Sequence, residues 1–185
     1  MSKNGDKKQR KYWNDHLRNM YLDEEGSYSY QGTYRTIKGD GKAINKKAWV
    51  FVAIMDAALL LSGIFPATGA MDTWYVLIPY AASIICCGFI TYYMFKWTTK
   101  GVSTLREYVY EKTWPRIGPA TLSATISSGI TLIMETFFLV RNGMGKHPKG
   151  AILLLICCMT TSVLGWFLSR FIKTQEWLNL AEKER

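Results

Sequence analysis

Residues 120–140 read ATLSATISSGITLIMETFFLV and contain a single ionisable side chain, Glu135. A helix of this length crosses the ~30 Å hydrocarbon core of a bilayer. Three other stretches have a similar length and composition, residues 48–65, 74–95 and 151–169. Ionisable residues lie almost wholly between and outside the four stretches. The sequence therefore predicts an all-α integral membrane protein with four transmembrane helices.

The distribution of positive charge predicts the orientation of these helices. The chain has 23 Lys and Arg residues, of which 20 fall on one side if the helices alternate in direction. Because cytoplasmic flanks of membrane helices carry the excess of Lys and Arg, we expect a cell-membrane protein with both termini and the loop 96–119 in the cytoplasm. Topology and anionic lipid headgroups account for the net charge of +9, so nucleic-acid binding is not predicted.

Aromatic residues agree with this orientation. Trp74 and Tyr75 fall near the predicted outer interface. The tryptophans predicted near the inner interface are Trp49, Trp97, Trp114, Trp166 and Trp177. Because Trp and Tyr favour the headgroup level of a bilayer, we expect these rings to lie at that level.

The first 47 residues form a cytoplasmic segment that is basic and amphipathic. In residues 6–22 the apolar side chains of Trp13, Leu17, Met20 and Tyr21 recur on one face of a helix. We expect this helix either to lie on the inner leaflet or to dock on the protein's own loops. The residues predicted to bind the membrane surface are Lys7, Lys8, Lys11, Trp13 and Arg18.

Three shorter segments have local signals of their own. Alternating Tyr residues in residues 27–37 favour a short β-hairpin. Thr104 and Glu107 have the spacing of a capping box, which predicts a short interfacial helix that ends at Pro115. We expect the cytoplasmic tail, residues 172–185, to continue the last transmembrane helix as a polar helix.

The transmembrane domain, residues 48–171, contains a short internal echo. Residues 54–56 (IMD) resemble residues 133–135 (IME), and residues 85–87 (ICC) match residues 156–158 (ICC). Two interpretations remain open. Matches of this length arise by chance in apolar sequence, whereas a true duplication implies two tandem helical hairpins related by an axis along the membrane normal.

Two acidic residues mark where function is expected. Asp56 and Glu135 lie within apolar stretches, where a carboxylate is costly unless it faces the bundle interior, a partner or water. Hydroxyl-bearing residues share the same helix faces, and Thr91 is one of them in the second stretch. The candidate intramembrane site is Asp56, Glu135, Ser128, Thr131 and Tyr80.

This polar set has two interpretations. Small and hydroxyl side chains let membrane helices approach closely and hydrogen-bond, so the set predicts the seam of a four-helix bundle. Alternatively, Asp56 and Glu135 flank a hydrated cavity, and the three hydroxyl-bearing residues pass protons or coordinate a cation.

None of the catalytic, cofactor-binding or metal-binding motifs with a known mechanism stands out in the sequence. We therefore expect a non-enzymatic membrane protein, without cofactor or metal, that acts as an accessory or regulatory subunit. The expected partners are anionic inner-leaflet lipids and either a larger membrane complex or a second copy of the chain. The alternative is a small proton- or ion-coupled transporter that works as an oligomer through Asp56 and Glu135. A membrane-embedded enzyme is a third class.

Overall fold

The computed structural model describes residues 33–64, 73–143 and 148–180, together with the backbone of two strands at 20–22 and 28–30. The chain forms nine described helices and strands, with the helices accounting for most of the described residues. In order they are β1 Met20–Leu22, β2 Tyr28–Tyr30, β3 Tyr34–Ile37, α1 Gly41–Ile64, α2 Trp74–Lys100, β4 Thr104–Arg106, α3 Glu107–Asn142, α4 Pro148–Lys173 and β5 Trp177–Leu180.

The four helices form a bundle. Each packs against its neighbour in sequence, and α4 also packs against α1, which closes the ring. Each helix contains one of the predicted apolar stretches and is long and apolar enough to cross a membrane. Residue 65, at the end of the first predicted stretch, lies outside the described residues. The prediction of a mainly helical protein with four such helices is confirmed.

The bundle is apolar on the outside and partly polar on the inside. In the most apolar window of each helix, between 22% and 39% of the residues are buried. Large apolar side chains such as Leu60, Ile85 and Phe137 are more than half exposed, whereas Ser83 and Thr161 are fully buried. A protein folded in water buries its large apolar side chains first. The observed distribution is the one expected of helices whose outer faces contact lipid.

Local chemistry explains where the helices begin and end. The Asp40 carboxylate accepts hydrogen bonds from the backbone N–H groups of Lys42 and Ala43, at 2.9 and 3.3 Å, and thereby caps α1. Gly143 follows α3 at a φ of 73°, a conformation that favours glycine. Its N–H donates to the carbonyl of Leu139, one turn back, which satisfies one of the last carbonyl groups of the helix.

A three-stranded antiparallel sheet joins distant parts of the chain at the end of the bundle where α1 begins and α4 ends. Its order is β4-β3-β5, so β3 pairs on both edges. Ile37 of β3 and Leu105 of β4 are buried against the helix ends. Because β3 precedes α1, β4 runs directly into α3 and β5 follows α4, the sheet holds together the start of α1, the start of α3 and the end of α4. The sequence analysis did not predict this sheet.

The predicted hairpin in residues 27–37 is wrong in its pairing. The two strands are present, as β2 and β3, but β2 pairs with β1 in a separate two-stranded sheet. Both edges of β3 are occupied by β4 and β5, so β3 has no edge left for β2.

The predicted amphipathic helix over residues 6–22 is wrong at its end, because Met20–Leu22 form strand β1. Antiparallel pairing with Tyr28–Tyr30 satisfies the backbone of these three residues as a strand. The remainder of that helix prediction lies outside the described residues. The same holds for the five residues predicted to bind the membrane surface, Lys7, Lys8, Lys11, Trp13 and Arg18.

The predicted helix in the loop 96–119 is present as the first turns of α3, but its predicted cap at Thr104 and its predicted end at Pro115 are wrong. Thr104 lies in β4, where its hydroxyl is 2.9 Å from that of Thr36, and it does not cap a helix. Helix α3 begins at Glu107 and continues through Pro115 and Pro119 as one element. Buried side chains on both sides of Pro115 keep the helix packed, and this packing outweighs the lost backbone hydrogen bond.

The predicted polar helix in the tail 172–185 is wrong for the described residues. Helix α4 ends at Lys173, and Trp177–Leu180 form strand β5. The reason is the open edge of β3, which gives these residues four backbone partners in antiparallel register. Trp177 also packs its ring 5.1 Å from that of Trp114, centroid to centroid.

Candidate functional site

Asp56 is held by a neighbouring helix. The Thr91 hydroxyl on α2 donates a hydrogen bond of 2.6 Å to Oδ2 of Asp56 on α1. The thiol of Cys87, one turn before Thr91, lies within electrostatic range of the same carboxyl. Asp56 is half-buried. This acid therefore has a fixed position between α1 and α2.

Glu135 is fully enclosed by the bundle, with an exposed fraction of 0%. It lies on α3, and the Cys158 thiol of the adjacent α4 is within electrostatic range of its carboxyl. A fully buried side chain has no surface to offer a partner protein. Glu135 can act on a partner only through the bundle that surrounds it.

Each helical hairpin has a cysteine within electrostatic range of its acid. In the first hairpin this cysteine is Cys87, near Asp56, and in the second it is Cys158, near Glu135. The isoleucine that opens each matched triplet points outward in all four helices. The internal duplication stays a prediction.

Tyr80 joins α2 to α1. Its hydroxyl donates a 2.7 Å hydrogen bond to the carbonyl of Leu59 and lies 3.0 Å from the Ser62 hydroxyl. Ser62 donates to the same carbonyl at 2.8 Å. The phenol is thus part of a helix-to-helix clamp. Sequence reasoning missed Ser62, although its position on the buried face of α1 was the available signal.

Ser128 and Thr131 also contribute to helix packing. The Ser128 hydroxyl lies 2.7 Å from the Ser162 hydroxyl of α4, which links the third and fourth helices. Thr131 donates at 2.9 Å to the carbonyl of Ser127, one turn back on its own helix. Sequence reasoning missed Ser162 because one sequence gives no rotation of α4 relative to α3.

The five predicted residues do not meet at one point. Met55, Thr125 and Gly165 lie at one level, because a Cβ on Gly165 would be 2.5 Å from the Thr125 hydroxyl and 3.4 Å from Cε of Met55. Glu135 is ten residues beyond Thr125 on α3, which corresponds to roughly 15 Å along the helix axis. Asp56, which follows Met55, therefore lies well away from Glu135 along the bundle axis, toward the end that carries the sheet.

Tyr80 is nearer to the level of Glu135 than Asp56 is. The Cys158 thiol lies within electrostatic range of both the Tyr80 hydroxyl and the Glu135 carboxyl. The structure therefore brings Tyr80, Cys158 and Glu135 into one neighbourhood. Asp56 and Thr91 form a second polar pair toward the end that carries the sheet.

An aromatic cluster lies between the sheet and the helices. The ring centroids of Trp97 and Trp114 are 4.9 Å apart, and Trp177 lies 5.1 Å from both Trp114 and Tyr110. Trp97 and Trp114 are buried within the protein, so their rings contact other side chains, and their level relative to the lipid headgroups stays a prediction. Contacts between three distant segments bury them. Trp74 and Tyr75 are exposed.

Arg35 connects the sheet to this cluster. Its Nη2 lies 3.1 Å from Oε1 of Glu107, and its guanidinium carbon is 4.5 Å from the centre of the Tyr110 ring. A planar guanidinium suits both contacts, because it can pair with a carboxylate while it stacks on an aromatic ring. The sheet is thereby fixed to the first turns of α3.

The hydroxyl groups of Ser62, Tyr80, Thr91, Ser128 and Thr131 make hydrogen bonds within or between helices, and the bonds between helices fix how those helices pack. The sheet fixes one end of the bundle and presents a second face away from it. In comparisons with known proteins, no protein-family model, no characterised protein and no solved structure matches the chain. The assignment of a function therefore depends on the geometry described above.

Proposed function

We propose that the protein is a non-enzymatic, multi-pass protein of the cell membrane with both termini in the cytoplasm, and that it acts as an accessory or regulatory subunit. Four helices long and apolar enough to cross a bilayer support membrane insertion. The excess of Lys and Arg at the sheet end supports a cytoplasmic sheet. A larger membrane complex or a second copy of this chain is the proposed partner.

The observation that carries the proposal is the use of the seam hydroxyls. Tyr80 and Ser62 bind the Leu59 carbonyl, and Ser128 pairs with Ser162. These groups hold helices together, as small and hydroxyl residues do in membrane bundles. A solute pathway needs such groups to line a passage. A bundle of four spans also encloses little space, which favours a role in a larger assembly.

The proposed partner surface is the outer sheet face, the side of the sheet turned away from the helices. Residues alternate between the two faces of a strand. Arg35, Ile37 and Leu105 point toward the bundle, so their neighbours in the strands point away from it. The outer sheet face consists of Tyr34, Thr36, Thr104, Arg106, Leu178 and Leu180.

Leu178 is the most informative position on that face. Its side chain is 51% exposed at the cytoplasmic end of the chain. An exposed apolar side chain on a folded sheet gains free energy when a partner covers it. We therefore assign partner contact to this face rather than to Glu135, which is enclosed.

The test uses the full chain, purified from its native membrane in mild detergent and measured by native mass spectrometry. We expect a stoichiometric companion or a dimer, and we expect Leu178→Asp to remove most of it. Thr174→Asp is the matched control, because Thr174 is exposed just before β5 and outside the sheet. Detection of the wild-type chain only as a monomer without a companion would contradict the proposal. Equal loss of the complex in both variants would also contradict it.

A second candidate function is a small proton- or ion-coupled transporter that works as an oligomer. The observation that favours it is the full burial of Glu135 within an apolar stretch, beside Cys158 and Tyr80. Ionisable residues at such positions are typical of proton and ion pathways. The separation of Asp56 from Glu135 along the bundle weighs against a shared site for the two acids.

A further inference from the structure

Four cations lie together where α2 ends and α3 begins. Lys96 and Lys100 are one turn apart on α2, and Lys112 and Arg116 are one turn apart on α3. Residues at this spacing share one side of a helix. The two helices run antiparallel and pack against each other, so each contributes one cationic pair at the same end of the bundle.

The Trp97–Trp114 contact sets the two pairs at one level. The two ring centroids are 4.9 Å apart. Lys96 precedes Trp97, and Trp114 stands midway between Lys112 and Arg116. Among the described residues, the charged groups that act most strongly on Lys96 are Lys112, Arg116 and Lys100, and all three are cations. These four residues are called the cationic groove below.

Like charges at this density repel one another, and a bound anion relieves the repulsion. Lys112 keeps its ammonium group 4.4 Å from the centre of the Tyr108 ring. Arg116 is exposed and carries a planar fork of N–H donors, which matches the oxygens of a phosphate. Glu111 is the adjacent acid on α3, and it lies about 100° round the helix from Lys112.

Apolar side chains continue from the cationic groove toward the middle of the bundle. Phe89 and Tyr92 of α2 lie on the same side of the helix as Lys96 and are 53% and 56% exposed. Ile130 of α3 lies on the same side as Lys112 and Arg116 and is 41% exposed. A free phosphate would gain nothing from these side chains. A phospholipid would place its phosphate among the cations and its acyl chains along this apolar side.

We propose that the cationic groove binds the phosphate headgroup of an anionic phospholipid of the inner leaflet. The inference rests on the proposed membrane insertion and adds to it a defined ligand and four ligand-binding residues. Lys96, Lys100 and Lys112 supply positive charge, and Arg116 supplies paired N–H donors to the phosphate oxygens. This lipid would lie between α2 and α3 on the outside of the bundle.

The experiment titrates the detergent-solubilised full chain with phosphatidylglycerol and counts bound lipid by native mass spectrometry. The site variant combines Lys96→Gln with Arg116→Gln. The control variant combines Lys42→Gln with Lys47→Gln, two exposed lysines of α1 at the same end of the bundle. We expect binding to weaken about tenfold or more in the site variant and about twofold or less in the control. A second site variant, Lys100→Gln with Lys112→Gln, should weaken binding in the same direction.

Three outcomes would overturn the site. Equal loss in the site and control variants would mean general attraction to charge. Binding of phosphatidylcholine as tight as that of phosphatidylglycerol would mean that the headgroup charge does not determine binding. Binding of soluble glycerol phosphate as tight as that of the lipid would mean a free-phosphate site.

The proposed membrane insertion is tested separately in the same preparation. Wild-type chain that enters phosphatidylcholine nanodiscs, while the site and control variants bind phosphatidylglycerol alike, would leave insertion standing and remove the lipid site. Wild-type chain that does not enter nanodiscs would remove both.

Discussion

The Thr91 hydroxyl and the Asp56 carboxylate form a 2.6 Å hydrogen bond that joins α2 to α1. A short hydrogen bond of this kind satisfies one oxygen of a half-buried carboxylate. The contact fixes the rotation of both helices, because each residue has to point toward the other. A polar residue that sequence reasoning marked as a candidate for transport is thus part of the packing between two helices.

Loss of the Thr91 hydroxyl should destabilise the bundle. Thr91→Val keeps the shape of the side chain and removes the hydrogen bond, and we expect the free energy of unfolding to fall by about 1–2 kcal/mol. Thr136→Val is the control, because Thr136 is exposed and its hydroxyl donates to the Leu132 carbonyl of its own helix. Unfolding in detergent, followed by circular dichroism, measures both variants. Equal stability of the two variants would contradict the assigned role.

Close approach of α3 and α4 should depend on Gly165. An added Cβ would lie 2.5 Å from the Thr125 hydroxyl, so we expect Gly165→Ala to lower the free energy of unfolding by about 1–3 kcal/mol. Thr125→Ala in the same chain removes the obstructing atom and should restore part of the loss. Gly88→Ala is the control, since nothing lies within 4 Å of its added Cβ. A destabilised Gly88→Ala chain and an unchanged Gly165→Ala chain would refute this packing.

The sheet should loosen when Arg35 is replaced. Arg35→Met removes the contacts with Glu107 and Tyr110, and we expect amide hydrogen exchange in β3 and β5 to rise roughly fivefold. Lys38→Met is the matched control on the same side of the chain, because the Lys38–Glu176 pair is about two-thirds exposed. Exchange rates that rise equally in the two variants would mean that Arg35 does not hold the sheet.

The Lys38–Glu176 pair should respond to pH in a defined direction. A hydrogen bond from Lys38, together with its charge, lowers the pKa of Glu176 below its usual value of 4.5. The contribution of ionised Glu176 to the stability of the folded protein is therefore present above that usual pKa, and it is lost as the pH falls through the lowered pKa. The hydrogen bond to Glu176 also raises the pKa of Lys38 above 10.5, so its contribution is lost as the pH rises through the raised value.

Nuclear magnetic resonance titration of Glu176 measures this effect. We expect Lys38→Met to return the pKa of Glu176 toward its usual value, and we expect added salt to do the same in the wild-type chain because the pair is exposed. A Glu176 pKa that stays low in Lys38→Met would assign the shift to another cation.

The helices were predictable from the sequence because long charge-free stretches have few alternatives to a long helix. Residues 74–95 and 151–169 lie entirely within α2 and α4. The boundaries were less predictable, since α3 starts thirteen residues before its apolar stretch and passes through Pro115 and Pro119. Packing of Thr113, Trp114 and Ile117 decides this, and a local rule for proline does not include tertiary packing.

The sheet could not be predicted because its strands come from three distant segments. Thr104–Arg106 has only three residues, and the four residues of Trp177–Leu180 show no clear alternation of apolar and polar side chains. Their pairing depends on the bundle, which brings the end of α4 beside the start of α1. The Tyr-rich segment predicted strands correctly, but the partner of each strand is set by the fold.

The candidate site was predictable in its residue types and not in its geometry. Burial of Glu135 followed from its position in residues 120–140. The level of Asp56 relative to Glu135 depends on how the helices are staggered, and one sequence without relatives carries no information on that. Ser162 was missed for the same reason, because its importance comes from Ser128, which lies opposite it.

We propose that the seam hydroxyls of the bundle hold the helices together and that Asp56 and Glu135 do not form an ion pathway. The most direct measurement is proton flux under an imposed pH gradient, in proteoliposomes that contain only this chain. We predict a flux equal to that of protein-free liposomes, and the same flux for Glu135→Gln and Asp56→Asn. A flux above that of protein-free liposomes that either substitution abolishes would contradict the account and establish the transporter.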